Sequence, residues 1–205
     1  MVRCDSSCKE PMTRFLDASE LEAMGFQHLG ANVRIDRLAV FINPQWVSLA
    51  DHCRIDAFSL ISAGKDGVAI GRYVHLGAGS QVFGGGGPVV LEDFSCLSAR
   101  ATAYTCSVSG APECRDLMLN PTVPQRFRTL KQGPVVLRKH SGVGCGSVVL
   151  PGVEMGYGSA AGALTLVRKS VPEGVVICGN PPQEILRRDR RKLERLEEEF
   201  FASLR

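Results

Sequence analysis

The chain has 205 residues, of which 44% are hydrophobic, 22% charged and 6% aromatic, which are ordinary values for a globular protein and exclude a disordered one. A chain of this length buries a core without disulfides, and its eight cysteines contain no Cys-x-x-Cys pair that would indicate zinc. The sequence contains no apolar run that could span a bilayer, its N-terminus lacks the apolar core of a secretory signal, and a net charge of +3 is too small to indicate nucleic acid. We therefore expect one cytoplasmic domain with reduced thiols, no membrane span and no nucleic-acid partner.

Residues 1–28 are predicted to cap the front of the domain. Within this segment the sequence LDASELEAMGF at 16–26 indicates a short helix, for which Ser19 is the predicted N-cap.

An aliphatic residue or Phe recurs at every sixth position from residue 29 onward, which is the signature of a repeat architecture. The steps of six run in groups of three, and the extra residues always follow the third hexad of a group. The hexads begin at Leu29, Ile35, Phe41; Leu49, Ile55, Ile61; Ile70, Leu76, Val82; Leu91, Leu97, Ala103; Leu137, Val143, Val149; and Met155, Ala161, Val167. Three hexads therefore form one triangular coil, and all insertions, including a long excursion at 107–134, leave from one corner.

Small residues within the hexads support the same interpretation. The fifth position is usually Ser, Ala, Thr or Val, as expected for a side chain that faces a crowded interior, and Gly often occupies the second position, where the chain turns tightly. The sequence thus predicts an all-β parallel β-helix of about six coils over 29–180. A solenoid needs capped ends, and residues 181–205 are predicted to form a C-terminal helix that supplies one of them.

Two stretches carry a resemblance to a known family. Leu76-Gly77-Ala78-Gly79-Ser80 and the run from Val143 to Val153 resemble the hexapeptide-repeat acyltransferases, which fold as left-handed parallel β-helices. Within that family the chain is most similar to the maltose/galactoside and polysaccharide-precursor sugar acetyltransferases. The resemblance implies a homotrimer with active sites between subunits, and a direct transfer of acetyl from acetyl-CoA, a co-substrate, to a sugar or nucleotide-sugar acceptor for lipopolysaccharide biosynthesis. It implies no permanently bound cofactor and no metal.

The resemblance also assigns binding residues. Cys145 matches a small residue of the pantetheine groove, Gly144 and Ala163 match positions of close approach, and Lys169 matches a basic residue beside the nucleotide phosphates of coenzyme A. Arg100 and Asn120 lie in segments that resemble the polysaccharide branch, and we expect them to contact the acceptor.

His75 is the predicted catalytic base, because it ends its hexad at a corner where side chains point outward and because relatives carry a similarly placed histidine. The alternative is an exposed turn histidine without a catalytic role. For His140 we expect a structural role, and for His28 and His52 an exposed surface position.

The excursion departs from the family pattern. The chain reads Thr105-Cys106-Ser107-Val108-Ser109-Gly110 where relatives carry a catalytic histidine, or acidic residues and a tyrosine. Glu113 and Asp116 remain as loop carboxylates that could orient the His75 of a neighbouring subunit. Cys106 and Cys114 have no base nearby in sequence and are not expected to be nucleophiles.

Two other functions stay open. One is a non-catalytic trimeric β-helix that has lost turnover, and the other is a metal-dependent hydratase similar to the γ-class carbonic anhydrases. The hydratase would need three histidines around zinc, and the spacing of His75 and His140 does not provide them.

Overall fold

The computed structural model describes residues 14–107, 118 and 120–204. It begins with helix α1 (Ala18–Ala23), whose N-cap is Asp17: the Asp17 carboxylate accepts the Glu20 amide, and the Glu20 carboxylate accepts the Asp17 amide. This reciprocal capping box replaces the predicted N-cap at Ser19, because a cap side chain must precede the first helical residue to reach an unpaired amide. Ser19 lies inside the helix and its hydroxyl donates to Asp17.

Six coils of three short strands follow, as the hexads predict. The strands of the first three coils are β1 (His28–Leu29), β2 (Arg34–Ile35), β3 (Val40–Ile42), β4 (Val47–Leu49), β5 (Arg54–Ile55), β6 (Leu60–Ala63), β7 (Val68–Ile70), β8 (His75–Leu76) and β9 (Gln81–Gly84). Those of the last three are β10 (Val89–Leu91), β11 (Cys96–Leu97), β12 (Thr102–Tyr104), then, after hairpin β13 (Cys106–Ser107) and β14 (Lys131–Gln132), β15 (Val135–Leu137), β16 (Gly142–Val143), β17 (Val148–Val149), β18 (Glu154–Met155), β19 (Ala160–Ala161) and β20 (Leu166–Val167).

Parallel pairing between coils builds three faces of a left-handed β-helix. Face A stacks β1, β4, β7, β10, β15 and β18, face B contains β2, β5, β8, β11, β16 and β19, and face C contains β3, β6, β9, β12, β17 and β20. We name the corners AB, BC and CA after the faces that they join. The first residues of the hexads pair with one another on every face, for example Ile55 with Leu76 and Leu76 with Leu97. The register predicted from the sequence is therefore confirmed.

The interior consists of aliphatic rungs with small residues at the turns. Fifth-position residues such as Ser80, Ser95 and Ser147 are buried, as predicted. Second-position glycines meet the backbone of the next coil: a Cβ on Gly77 would lie 2.7 Å from the Ala99 nitrogen. This close approach is what the predicted tight turn requires.

The insertions all leave from corner CA, as the hexad spacing predicts. Residues 43–46, 64–67 and 85–88 each link face C to face A, and the long excursion starts and ends with the antiparallel pair β13 and β14.

The C-terminal segment differs from the prediction of one helix over 181–205. Strand β21 (Val175–Cys178) continues face B, and β22 (Gln183–Arg187) turns back to pair with it antiparallel before α2 (Arg190–Ser203) begins. The backbone edge of β21 offers hydrogen bonds to residues 183–187, and these residues pair with that edge as a strand instead of forming the first turns of a helix. Asp189 is the N-cap of α2 and accepts the Arg191 amide.

Helix α2 lies along corner AB. Aromatic rings stack on this corner from coil to coil, His52 on Tyr73 at 4.6 Å and Tyr73 on Phe94 at 5.1 Å between ring centroids. Phe200 of α2 packs edge-on against Tyr73 at 5.0 Å between ring centroids, and the helix thereby covers part of this corner of the solenoid. No helix in the described ranges is long and apolar enough to cross a membrane.

Candidate active site on face B and corner BC

Corner BC brings together three of the predicted site residues on consecutive coils. Arg100 lies on the fourth coil, Cys145 on the fifth and Ala163 on the sixth, and backbone bonds hold these turns together: the Leu164 amide donates to the Cys145 carbonyl at 2.9 Å, and the Gly146 amide to the Ala99 carbonyl at 3.0 Å. The side chains of all three predicted residues are exposed. The corner is therefore an open edge that runs along the solenoid.

Gly144 sets how deep this edge is. A Cβ at Gly144 would lie 2.6 Å from the Ala163 nitrogen, so any larger residue would push the two coils apart. The backbone amides of Cys145 and Ala163 donate no hydrogen bond to any group in the described part of the chain. Two unused donors on a small-residue edge suit an extended chain of amide groups, which needs close approach and backbone hydrogen bonds.

Lys169 does not lie on this edge. It belongs to corner CA, one face away, where it lines a cleft of about 790 Å³ at the C-terminal end of the solenoid. Arg168 and Lys131 line the same cleft, and Glu184 is the one carboxylate that the described residues contribute to it. The excess of cations makes this cleft attractive to an anion such as a phosphate.

His75 opens β8 on face B, two coils before Cys145, and its side chain is half exposed. Its Nε2 lies 2.8 Å from Oδ2 of Asp56, the residue that follows β5 on the preceding coil. A proton on Nε2 that is shared with the carboxylate leaves the Nδ1 lone pair free to accept a proton. A histidine oriented in this way by a carboxylate can serve as a general base.

Asp56 is itself fixed by arginines. The Arg54 Nε lies 2.8 Å from Oδ1 of Asp56, and the Arg14 guanidinium lies 3.4 Å from the same oxygen. Burial raises the pKa of Asp56, but the hydrogen bonds from His75 and Arg54 outweigh it, so this pKa is lowered from its ordinary value. The carboxylate therefore remains charged where His75 needs it.

Sequence reasoning missed Asp56. The sequence feature that could have identified it is an aspartate at the second position of a hexad, a position that glycine occupies in the third coil at Gly71 and Gly77. Because a side chain there must leave the crowded turn, Asp56 turns toward the outer surface and the next coil.

Asn120 is exposed in the excursion and accepts from the amide and hydroxyl of Thr122, which is a local turn interaction. In the described ranges no hydrogen bond joins Asn120 to Arg100 or His75. Glu113, Asp116 and Cys114 lie outside the described residues.

The other histidines have surface or structural positions, as expected. His28 and His52 are exposed, and His140 Nε2 lies 2.7 Å from a carboxylate oxygen of Glu197 on α2. Cys106 is a free thiol. No group of three or more His, Cys, Asp or Glu side chains in the described part of the chain could hold a metal ion.

Comparison with known proteins gives a consistent picture. No protein-family model matches the chain. A dTDP-4-amino-4,6-dideoxy-D-glucose acyltransferase of Escherichia coli is 36% identical over 189 residues, which are 92% of this chain and 96% of that protein. WbbJ of Escherichia coli K12, a candidate O-acetyltransferase of lipopolysaccharide biosynthesis, is 32% identical over 64% of each chain.

A solved structure extends the likeness to three dimensions. AntD, an N-acyltransferase from Bacillus cereus in complex with dTDP and 3-hydroxybutyryl-CoA, matches with a TM-score of 0.85 and 32% identity. The match covers 94% of this chain and 99% of AntD.

Proposed function

The chain belongs to the hexapeptide-repeat sugar acyltransferases, and from this premise we propose that it transfers acetyl from acetyl-CoA to the amine of a nucleotide-linked amino sugar that is a precursor of surface polysaccharide. The observation that carries the proposal is the Asp56–His75 pair, 2.8 Å apart, on the face that leads to the open edge of Cys145 and Ala163. The relative of Escherichia coli and AntD both support a dTDP-linked acceptor.

Acetyl-CoA would lie along corner BC. The amides of Cys145 and Ala163 are placed to bind the pantetheine arm, and Gly144 keeps the edge shallow enough for it. The cations Lys169, Arg168 and Lys131 around the terminal cleft are suited to the phosphates of coenzyme A.

The reaction needs one base and one leaving group. The amine nitrogen attacks the thioester carbonyl carbon, its proton passes to Nδ1 of His75, and the carbon–sulfur bond breaks as the coenzyme A thiolate leaves and takes that proton. Asp56 holds the imidazole and stabilises its positive charge during the transfer. Backbone amides of the coil turns would stabilise the oxyanion that forms on the carbonyl.

A hydroxyl acceptor is the second candidate, because a hydroxyl depends on a base and the Asp56–His75 pair provides one; the match to WbbJ favours it as well. One assay distinguishes the amine acceptor from the hydroxyl acceptor. We expect acetylation of dTDP-4-amino-4,6-dideoxyglucose and none of the matched sugar with a 4-hydroxyl group, and the reverse result would establish an O-acetyltransferase.

We propose a homotrimer in the cytoplasm, where acetyl-CoA is available, with active sites between subunits. The surface of the first two coils supports it: Leu38 and Phe58 at corner BC and Val40 and Ile42 on face C are all exposed. Exposed apolar side chains on adjoining surfaces are typical of a protein–protein interface.

The binding of acetyl-CoA is tested by Cys145→Trp, with Cys145→Ser as the matched control. The tryptophan would fill the edge at an exposed position, so we expect calorimetry to show loss of acetyl-CoA binding at an unchanged melting temperature. The serine variant should bind as the wild type does. Equal binding by all three proteins would place the pantetheine arm elsewhere.

The role of His75 is tested by His75→Gln. We expect kcat to fall about 10²- to 10⁴-fold, the usual contribution of a general base, with acetyl-CoA affinity unchanged. His28→Gln, at an exposed position on face A, is the control and should keep full activity. A fully active His75→Gln would rule out His75 as the base.

A further inference from the structure

Face B carries a second feature, a cluster of arginines around Phe15 at its N-terminal end. From this cluster we infer a diphosphate-binding site centred on Arg34, which takes the diphosphate of the nucleotide-sugar acceptor. This inference rests on the proposed function and assigns the acceptor's orientation on face B.

Three guanidinium groups surround the Phe15 ring. The Arg34 guanidinium carbon lies 4.2 Å from the ring centroid, that of Arg14 5.2 Å and that of Arg54 6.0 Å. The segment that carries Phe15 is tied to the first coil, because the Leu16 amide donates to the Ile35 carbonyl at 2.9 Å and the Arg37 amide to the Arg14 carbonyl at 3.1 Å. Stacking on a fixed ring therefore holds Arg34 in place before any ligand arrives.

Among the residues that the structure describes, the charges of this cluster do not balance. Arg14 pairs with Asp36 and Asp56, and Arg54 pairs with Asp56, so two carboxylates of this part of the chain face three guanidinium groups. Arg34 is exposed and has no carboxylate partner in the described part of the chain. An unpaired, preorganised guanidinium with five donors is suited to bind phosphate oxygens.

The position of Arg34 relative to His75 sets the register of the ligand. In the register of successive parallel strands, Arg34 lies beside Arg54 and Arg54 lies beside His75. The three side chains therefore form one outward row on face B. Two strand spacings place Arg34 roughly 10 Å from His75 along the solenoid.

This spacing fits a nucleotide-linked 4-amino sugar. The diphosphate is attached at C1 and the amine at C4, at opposite ends of the ring, so an amine at His75 directs the diphosphate toward Arg54 and Arg34. The acceptor would thus lie lengthwise on face B with its reactive end toward the C-terminal coils.

Because coenzyme A also contains a diphosphate, the Arg34 site must be distinguished from the site of coenzyme A. The edge of Cys145 and Ala163 and the cationic cleft of Lys169 lie on the fifth and sixth coils, whereas Arg34 lies on the first. We therefore assign the Arg34 site to the nucleotide sugar.

The test is calorimetric titration of dTDP, dTMP and coenzyme A, each separately, into the full-length wild type, Arg34→Gln and Arg195→Gln. Arg195 is an exposed arginine on α2 and serves as the charge-matched control. For Arg34→Gln we expect dTDP to bind about ten- to a hundredfold more weakly, because the diphosphate loses one charged hydrogen-bonding partner. The binding of coenzyme A should be unchanged. The control should match the wild type for all three ligands, and the preference for dTDP over dTMP should shrink in Arg34→Gln alone.

Two results would overturn the inference, and they differ in what else they overturn. Wild-type affinity of Arg34→Gln for dTDP, or an equal loss for coenzyme A, would remove the site and leave the proposed function intact. A wild type that binds coenzyme A but neither dTDP nor dTMP would overturn the nucleotide-sugar acceptor itself, and this inference with it.

Discussion

The second residue of a hexad determines how closely two coils approach. Gly77 and Gly144 allow the backbone of the next coil to come so near that an added Cβ would lie under 3 Å from a backbone nitrogen. Asp56 occupies the same hexad position on the second coil, and its carboxylate turns outward to His75. The same position thus provides tight packing in some coils and a polar site residue in another.

Gly77→Ala tests this packing. Because the added methyl group meets the Ala99 backbone at 2.7 Å, we expect the free energy of unfolding to fall by about 1–3 kcal/mol. Gly85→Ala is the control, since a Cβ there meets nothing within 4 Å, and its effect should stay within about 0.5 kcal/mol. Chemical denaturation measures both, and equal effects would show that the coils can separate without cost.

Helix α2 depends on the solenoid for its position. Its apolar residues contact the aromatic stack of corner AB, where Phe200 reaches both Tyr73 and Phe94. Glu197 adds a polar anchor, since its two carboxylate oxygens accept from Lys139 at 2.6 Å and from His140 at 2.7 Å. Burial raises the pKa of Glu197, but these two hydrogen bonds outweigh it, so the pKa is lowered from its ordinary value of 4.5.

Glu197→Gln tests this anchor through its pH dependence. A carboxylate whose pKa is lower in the folded state than in the unfolded state stabilises the fold at pH values above its ordinary pKa of 4.5. This contribution is lost as the pH falls through the lowered pKa. We expect the wild type to melt higher than Glu197→Gln at pH 7 and the difference to shrink between about pH 5 and pH 3.

Glu198→Gln, at the exposed neighbouring position, is the matched control and should follow the wild type over the whole range. A constant difference between wild type and Glu197→Gln down to pH 3 would show that the charge of Glu197 does not anchor the helix.

At the scale of the whole molecule, corner BC leaves apolar side chains exposed on the second and the sixth coil. Phe58 is 68% exposed and adopts a φ of 62°, a left-handed conformation that is unfavourable for a bulky residue. Leu164 on the same corner is 76% exposed with a φ of 58°. The coil turn itself requires the left-handed conformation, since Tyr73 and Phe94 adopt it at the same hexad position. The exposure of the two apolar side chains is accounted for if a second subunit covers them, which agrees with the proposed trimer.

Phe58→Asp tests the trimer. Aspartate tolerates the left-handed region better than phenylalanine, so the fold should be retained while the interface gains a charge. Light scattering should give three times the chain mass of 22.1 kDa for the wild type and a smaller species for the variant. Leu204→Asp, at the exposed end of α2, should keep the wild-type mass; a monomeric wild type would contradict the proposal.

The hexad pattern by itself determined the coils, the face-by-face register and the corner that carries the insertions. Each inward residue must meet its counterpart one coil away, so a periodicity in sequence becomes a contact in space. The family resemblance also assigned binding roles to Cys145, Ala163 and Arg100, which the structure brings to one corner.

Only the tertiary structure determined what depends on contacts between distant segments. The strand Gln183–Arg187 forms because β21 offers it an open edge, and no local propensity encodes that edge. Lys169 follows a third hexad residue and Cys145 a second one, so they lie on different corners, and only the structure shows the cationic cleft that Lys169 lines at corner CA. The Asp56–His75 pair and the stack of Arg34 on Phe15 each join residues 19 positions apart, and such pairs become visible only when the coils are stacked.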